Sequence, residues 1–440
     1  MAGIEIHAGG KRSSVDQRGD PPPNLRRIMV ATFFGQITEW YDYGIYALVA
    51  VQIGAHFFPS GDKTASLLAA LAVFGVAFLA RPVGGIWIGV MGDRIGRKSV
   101  LVYSLLMMTV ATVMVGILPG AEVIGIIAPA LLVTARLLQG ISAAGESTSA
   151  ITYVAESVPP DRKGLYTATL MSGNSAGFLL ATSVVWLLHE ILGEAVFDDW
   201  GWRGAFLFAG PLGLIGLFIR SSLEESPVFE RLKEGKILSA TPLRDTFTTG
   251  LDQLFQAIGI SATSMIANYL VVAYLPIHLQ GVGYTSRDIS IVGMIATMTL
   301  LVSYPVMGAI SDRIGRRPVL MAACIFFMLL GWPLFALTIG GSLAMTAVAT
   351  CLLALGTSGF ISSLGLYCTE YIDKSRLMTT YSVGFNLSAA MFGGSSLWAF
   401  GMSVKLTGDP RMPAIYLIVA SAISMVSLLS IRSTRRVKSS

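Results

Sequence analysis

Long apolar runs alternate with short polar breaks along almost the whole chain. The runs fall near 27–57, 65–91, 99–119, 124–155, 165–190 and 203–222, and again near 250–280, 288–310, 318–340, 342–369, 377–405 and 412–431. Each matches or exceeds the roughly 20 residues that an α-helix needs to cross a bilayer. One longer polar stretch, 223–248, holds Glu224-Glu225-Ser226-Pro227 and the charges from Arg231 to Lys236, and it divides the runs six and six. The pattern predicts an all-α integral membrane protein with twelve transmembrane helices. A tail at 1–25 precedes a six-helix bundle at 26–222, a linker at 223–248, a second bundle at 249–431 and a tail at 432–440. Ten-residue alternating stretches, the mark of a transmembrane β-barrel, do not occur.

The two halves repeat each other. Gly92-Asp93-Arg94-Ile95-Gly96-Arg97-Lys98 reappears as Ser311-Asp312-Arg313-Ile314-Gly315-Arg316-Arg317, with Asp93 and Asp312 an offset of 219 residues apart. A second match follows the fourth and tenth runs, where Glu156 and Glu370 each stand six residues before an arginine, Arg162 and Arg376. Charge is costly in the bilayer core, so both seven-residue strings are expected in loops at the membrane surface. Tandem, pseudo-symmetric bundles are a common plan of secondary transporters.

Composition agrees. Hydrophobic residues make up 53% and charged residues 13%, where a soluble domain carries about 25% charged. The net charge of +5 is dispersed over loops, so no nucleic-acid partner is expected. Of 31 Lys and Arg, 24 fall in the tails, the linker and the even-to-odd loops, and only Lys63, Arg203, Arg287, Lys405 and Arg411 lie on the other side. By the positive-inside rule both termini are expected in the cytoplasm, and the expected membrane is a plasma membrane of the bacterial inner-membrane kind. Residues 1–24 contain no apolar core of a signal peptide and read as a flexible tail. Cys324, Cys351 and Cys368 lie in apolar runs and read as packing residues. No phosphate-binding P-loop, Ser/His/Asp set or metal-ligand cluster occurs, so neither a cofactor nor an enzyme is expected.

Charge inside the apolar runs marks function. Glu39 and Asp42, three apart, share one helix face. Desolvation and a like-charged neighbour both favour the protonated acid, which suits a group that carries a proton across. Arg136 and Glu146 lie about 15 Å apart along one helix, with Arg136 in the middle or outer half and Glu146 nearer the cytoplasm. Arg136 can pair with Glu39 or Asp42, or clamp a substrate carboxylate. Trp40, Tyr41, Tyr43 and Tyr46 surround the acids, and aromatic faces attract quaternary ammonium groups. Gln36 sits one turn before Glu39. In the second half the candidates are neutral: Asn268, Tyr269, Tyr274, His278 and Asn386, with His278 read as a packed polar residue. Arg81 is expected to snorkel at the cytoplasmic end of its helix. Asp93, Arg94 and Arg97, with Asp312, Arg313 and Arg316 as counterparts, read as a gating latch in which Asp93 favours a helix amino terminus.

The strings Gly89–Lys98 and Gly308–Arg317 resemble the inter-helix signature of the major facilitator superfamily, with Met91 and Ile310 at its usual Leu position. Glu39-Trp40-Tyr41-Asp42-Tyr43-Gly44, Ala80-Arg81-Pro82-Val83-Gly84-Gly85, Arg136-Leu137-Leu138-Gln139-Gly140, Gly145-Glu146, Trp200-Gly201-Trp202-Arg203 and Leu223-Glu224-Glu225-Ser226-Pro227 are similar to its metabolite:proton symporter family. The resemblance implies the major facilitator fold and carries a proton-coupling role to Arg136. Ala144 and Ser147 depart from the family's Gly and Tyr, and the stretch Glu370–Arg376 lacks its Pro. The long carboxy-terminal helix of osmosensing members is not expected after Ile431.

Together these features predict a proton-coupled symporter of a small organic solute, working by alternating access with Glu39, Asp42 and Arg136 as coupling residues. Gln36, Tyr43, Tyr46, Glu146, Asn268, Tyr269 and Asn386 are the expected substrate contacts. The acids and rings suit a zwitterion such as betaine or proline. Members of the resembled family with the same acids carry citrate or α-ketoglutarate, which keeps di- and tricarboxylates open. A uniporter and a non-transporting sensor are the remaining alternatives. The lipid bilayer, a small solute and the proton are the expected partners, and the chain is expected to act as a monomer.

Overall fold

The structure, a computed structural model, describes residues 25–235, 239 and 241–431. The expected tails lie outside the described residues, except that Leu25 opens the first helix. Twelve long helical segments follow. In the first half α1 covers 25–57, with a break at Val49, then α2 Lys63–Ile95, α3 Arg97–Ile117, α4 Ile127–Ser157, α5 Lys163–Leu192 and α6 Arg203–Ser221. In the second half come α7 Leu251–Gly281, α8 Ser286–Ile314, α9 Arg316–Ala336, α10 Leu343–Tyr371, α11 at 377–407 and α12 Pro413–Ser430. Ten of the twelve are long and apolar enough, by length and composition, to cross a membrane. The other two have visible reasons for falling short. The α1 segment carries Arg26, Arg27, Glu39 and Asp42, and the helical run of α11 is broken at Ser395, just after a π-helical turn at Ala389–Gly394. A matching turn, Tyr269–Tyr274, interrupts α7.

Large apolar side chains such as Leu79, Trp87, Leu214, Phe218 and Trp398 point outward, as a lipid-facing surface requires. The inner faces are small and polar. Helix α4 buries Gly140, Ser142, Ala143, Ala144 and Gly145, and α10 buries Thr357, Ser358, Gly359, Ser362 and Ser363. Small residues let membrane helices approach closely when no water drives them together. A Cβ on Gly140 would lie 2.0 Å from the Ala77 carbonyl oxygen, so α2 and α4 touch backbone to backbone there.

The halves meet along α5 against α8 and α2 against α11. The face on which Leu25 and Ile431 lie, here the terminal face, carries two matching latches. Asp93, at the end of α2, accepts the backbone N–H groups of Met378 and Thr379 at 3.1 and 2.8 Å. Asp312, at the end of α8, accepts those of Gly164 and Leu165 at 2.7 and 2.8 Å. Each acid therefore caps the first turn of a helix in the opposite bundle, where free N–H groups and the dipole favour negative charge. Arg97 lies 3.7 Å from Asp93 and 3.3 Å from Glu156. Arg316 lies 2.7 Å from Asp312 and 3.3 Å from Glu370. Gly96 and Gly315 turn the chain between helices with φ of 108° and 97°, a conformation that glycine adopts freely.

The linker reinforces one latch. Glu225 accepts the N–H groups of Arg97 and Lys98 at 2.9 and 3.1 Å. Ser226 donates to Glu156, and the Arg97 guanidinium lies 4.9 Å from the centre of the Phe229 ring. Arg94 and Arg313, expected in the same latches, are exposed.

Candidate functional site

A cavity lies between the bundles. Trp40, Arg81, Ser147, Met171 and Asn174 line it from the first half, and Ser264, Asn268, Tyr269, Tyr381 and Phe385 from the second. Arg81 is the only charged side chain among the described lining residues. Buried Trp40 Nε1 and Asn174 Oδ1 have no hydrogen-bond partner in the protein.

Arg81 overturns one expectation. It does not snorkel at a helix end. It stands just past the middle of the 33-residue α2, about 20 Å from the terminal end, and is 7% exposed. Its Nη2 is 3.6 Å from Glu39 Oε1, and its Nε donates to Asn386 Oδ1 at 3.3 Å. Glu39 is fully buried, and its other oxygen accepts from Ser147 at 3.2 Å. The cation thus links an acid of the first bundle to an amide of the second. Asn386 in turn donates to the Ala144 carbonyl at 2.8 Å, a further tie between bundles.

Asp42 has a different setting. Its Oδ1 accepts from Thr112 at 2.7 Å and from Gln139 at 2.6 Å, and its Oδ2 is 3.4 Å from Arg136 Nη1. Arg136 also donates to Gln139 at 2.7 Å and lies 4.0 Å from the centre of the Tyr46 ring. The expected pairing of Arg136 with an acid of α1 is therefore present, with Asp42 as the partner.

Glu146 binds Arg220. Two guanidinium nitrogens reach it, one at 2.8 Å, and Ser104 donates at 3.0 Å. Arg220 is fully buried and also donates to the carbonyls of Ala31 and Leu101. It was expected among the loop cations, and its burial corrects that placement. The acid it neutralises lies on α4 and is itself buried.

Of the expected substrate contacts, Asn268 and Tyr269 line the cavity. Gln36 and Tyr43 are buried just behind it: Ser147 donates to Gln36 at 3.4 Å, and Tyr43 packs on Trp40 and Phe78. Tyr46, Glu146 and Asn386 belong to the packed clusters described above. His278 is buried against Phe335 with its Nε2 2.8 Å from Thr338 Oγ1, the packed polar residue that was expected. Sequence reading did not single out Arg81, Ser147, Asn174, Tyr381 or Phe385 as site residues. For Arg81 a signal existed, since counting turns along its apolar run puts it level with Glu39. For the others no spacing distinguishes a cavity wall from ordinary packing.

The sequence matches the Major Facilitator Superfamily over residues 32–402. It is 33% identical over 423 residues to a proline/betaine transporter of Escherichia coli K12, covering 93% of this chain and 84% of that one. It is 34% identical over 420 residues to the glycine betaine/proline/ectoine/pipecolic acid transporter OusA of Dickeya dadantii, with the same coverage. The solved structure of the proton:xylose symporter XylE bound to 6-bromo-6-deoxy-D-glucose superposes with a TM-score of 0.74 at 16% identity, covering 92% of this chain and 94% of that one, a likeness of fold. With twelve helices in two matching bundles around a central cavity, the chain belongs to the Major Facilitator Superfamily of multi-pass membrane transporters.

Proposed function

We propose that this transporter imports a small zwitterionic osmolyte of the betaine or proline kind together with protons, with its terminal face in the cytoplasm. The observation that carries the reading is the make-up of the cavity wall: one cation, Arg81, among aromatic rings and neutral amides. A single guanidinium matches one carboxylate, and Trp40, Tyr269 and Phe385 suit an alkylated ammonium. A di- or tricarboxylate would need further cations that the described wall lacks. The names of the relatives point to the same solutes.

Proton coupling rests on the buried acids of α1. Glu39 stands next to a cavity-lining hydroxyl, Ser147, and so has the nearest route to water. Asp42 and Arg136 form the pair one turn further along, which holds α1 to α3 and α4 and keeps a compensating charge beside the acid row. The latches of Asp93–Arg97 and Asp312–Arg316 hold the terminal face shut while substrate loads from the other side, and rocking of the bundles exchanges that closure for one across the cavity. The excess of Lys and Arg on the terminal-face loops supports its cytoplasmic placement.

Uptake of labelled betaine and α-ketoglutarate into proteoliposomes, with and without an imposed proton gradient, tests the reading. Betaine should accumulate only with the gradient. Accumulation of α-ketoglutarate instead, or of betaine regardless of the gradient, would refute it.

A further inference from the structure

Arg81 is gripped unevenly. Its Nε is hydrogen-bonded to Asn386, but its Nη end meets Glu39 at 3.6 Å, beyond hydrogen-bond length, and Glu39 Oε1 has no hydrogen-bond partner. This is a poor ion pair in a place where a good one is worth much. It also abuts the cavity, whereas the pairs Asp42–Arg136 and Glu146–Arg220 do not. A carboxylate entering the cavity meets Arg81, the one cation among the described lining residues.

We propose that Arg81 is the residue that binds the substrate carboxylate, and that the Glu39 carboxylate is its built-in competitor. The two anions take the same guanidinium in turn. When Glu39 is ionised it occupies the Nη end of Arg81. When water in the cavity delivers a proton to a Glu39 oxygen, the neutral acid releases the guanidinium, and the substrate carboxylate binds there in a bidentate fork. Release of the proton on the other side returns Glu39 to Arg81 and expels the substrate. One proton and one zwitterion then move together because each is needed for the other to bind.

The remaining neighbours fit this exchange. The charged groups whose fields reach Glu39 are Arg81 on α2, Glu146 on α4 and Arg220 on α6, and the last two neutralise each other. Tyr43 on α1 and Tyr269 on α7 also face Arg81. Arg81 also touches α11 through Asn386, so the occupant of its Nη end is felt at the interface between bundles.

The inference rests on the osmolyte reading, and its test separates the two. Binding of labelled betaine to the purified full-length protein is measured across pH, with choline, which lacks the carboxylate, as competitor. Wild type should bind betaine more tightly as pH falls and ignore choline. Glu39→Gln should bind betaine with no pH dependence. Arg81→Met in the Glu39→Gln background, which leaves no buried unpaired acid, should lose roughly ten- to hundredfold in betaine affinity and no longer discriminate against choline. Arg81→Lys, a cation without the fork, should fall between. Betaine affinity and choline discrimination left intact in the double variant, or unchanged pH dependence in Glu39→Gln, overturns the inference alone. Wild type that binds neither betaine nor proline overturns the osmolyte reading and this inference with it.

Discussion

Two acid–arginine pairs hang from the same helix, one turn apart, and are built for different ends. Asp42 is saturated: two neutral donors at 2.7 and 2.6 Å and a guanidinium at 3.4 Å fill its oxygens, and the guanidinium rests on an aromatic face. Glu39 has one hydroxyl at 3.2 Å and a cation at 3.6 Å, beside a cavity. Both acids are buried, so burial alone does not separate them. What separates them is how many partners would have to be broken for the acid to change its charge. A carboxylate with three partners has more contacts to break before it can change its charge, and it holds helices together. A loosely held one can trade its cation for a proton.

The comparison breaks most sharply at Arg136. Arg136→Met strips the cation from Asp42 and leaves a buried charge with two neutral donors, a change that costs about 3–5 kcal/mol. Thermal unfolding in detergent should show a large drop. Arg136→Met that melts like wild type would mean that the Asp42 pair is not structural. At the other pair the sign of the experiment reverses. Glu39→Gln keeps the shape and the Ser147 contact, so stability should move by less than about 1.5 kcal/mol. Gradient-driven uptake should fall roughly a hundredfold, while exchange of labelled for unlabelled solute persists. Loss of exchange along with uptake would place Glu39 in binding rather than coupling.

The latches offer the same contrast at smaller scale. Asp93 is fully buried, and Glu156, which shares Arg97 with it, is held by the linker, whereas Glu370 in the matching latch is 44% exposed. Solvent screens the second set more than the first. Asp93→Asn should therefore open the terminal face more than Asp312→Asn, by about 1–2 against less than 1 kcal/mol. Distances between spin labels placed on α2 and α11, and on α5 and α8, read the shift. Equal opening in the two variants would show that the linker adds nothing.

The sequence already carried the latches. Asp93 and Asp312 stand in duplicated strings, and a charged string between two apolar runs has few places to go. Their partners were half legible: Glu156 and Glu370 were visible as a repeated pair, but the arginines they meet, Arg97 and Arg316, lie on other helices. The centre was harder. Arg136 was readable as a partner of Glu39 or Asp42, because all three are ionisable groups inside apolar runs, but the choice between the two acids was not. Arg81 was placed at the wrong depth, because an arginine within reach of a helix end can always be assigned to the interface, and the choice depends on where the helix ends. The last turns of α2, through Ile95, carry the charged string itself and move that end outward. Arg220 shows the same ambiguity: counted with the loop cations, it is buried against Glu146. Tyr381 and Phe385 belong to a broken helix whose inward face no hydrophobic period announces.

The finest cut through the comparison is at Tyr46. Its hydroxyl donates to the Ala70 carbonyl at 3.0 Å and its ring lies beneath Arg136 at 4.0 Å, so two contributions share one side chain. Tyr46→Phe removes only the hydroxyl and should cost about 0.5–1.5 kcal/mol. Tyr46→Leu removes the aromatic face as well. If the ring holds the Arg136 cation, the second variant should lose about 0.5–2 kcal/mol more, and that excess should vanish in an Arg136→Met background, where no cation remains to be held. An excess that survives without the arginine would reflect packing volume alone. Arg136 would then owe its place to Asp42 and Gln139, and the rigidity that distinguishes this pair from Glu39–Arg81 would rest on hydrogen bonds rather than on the aromatic floor.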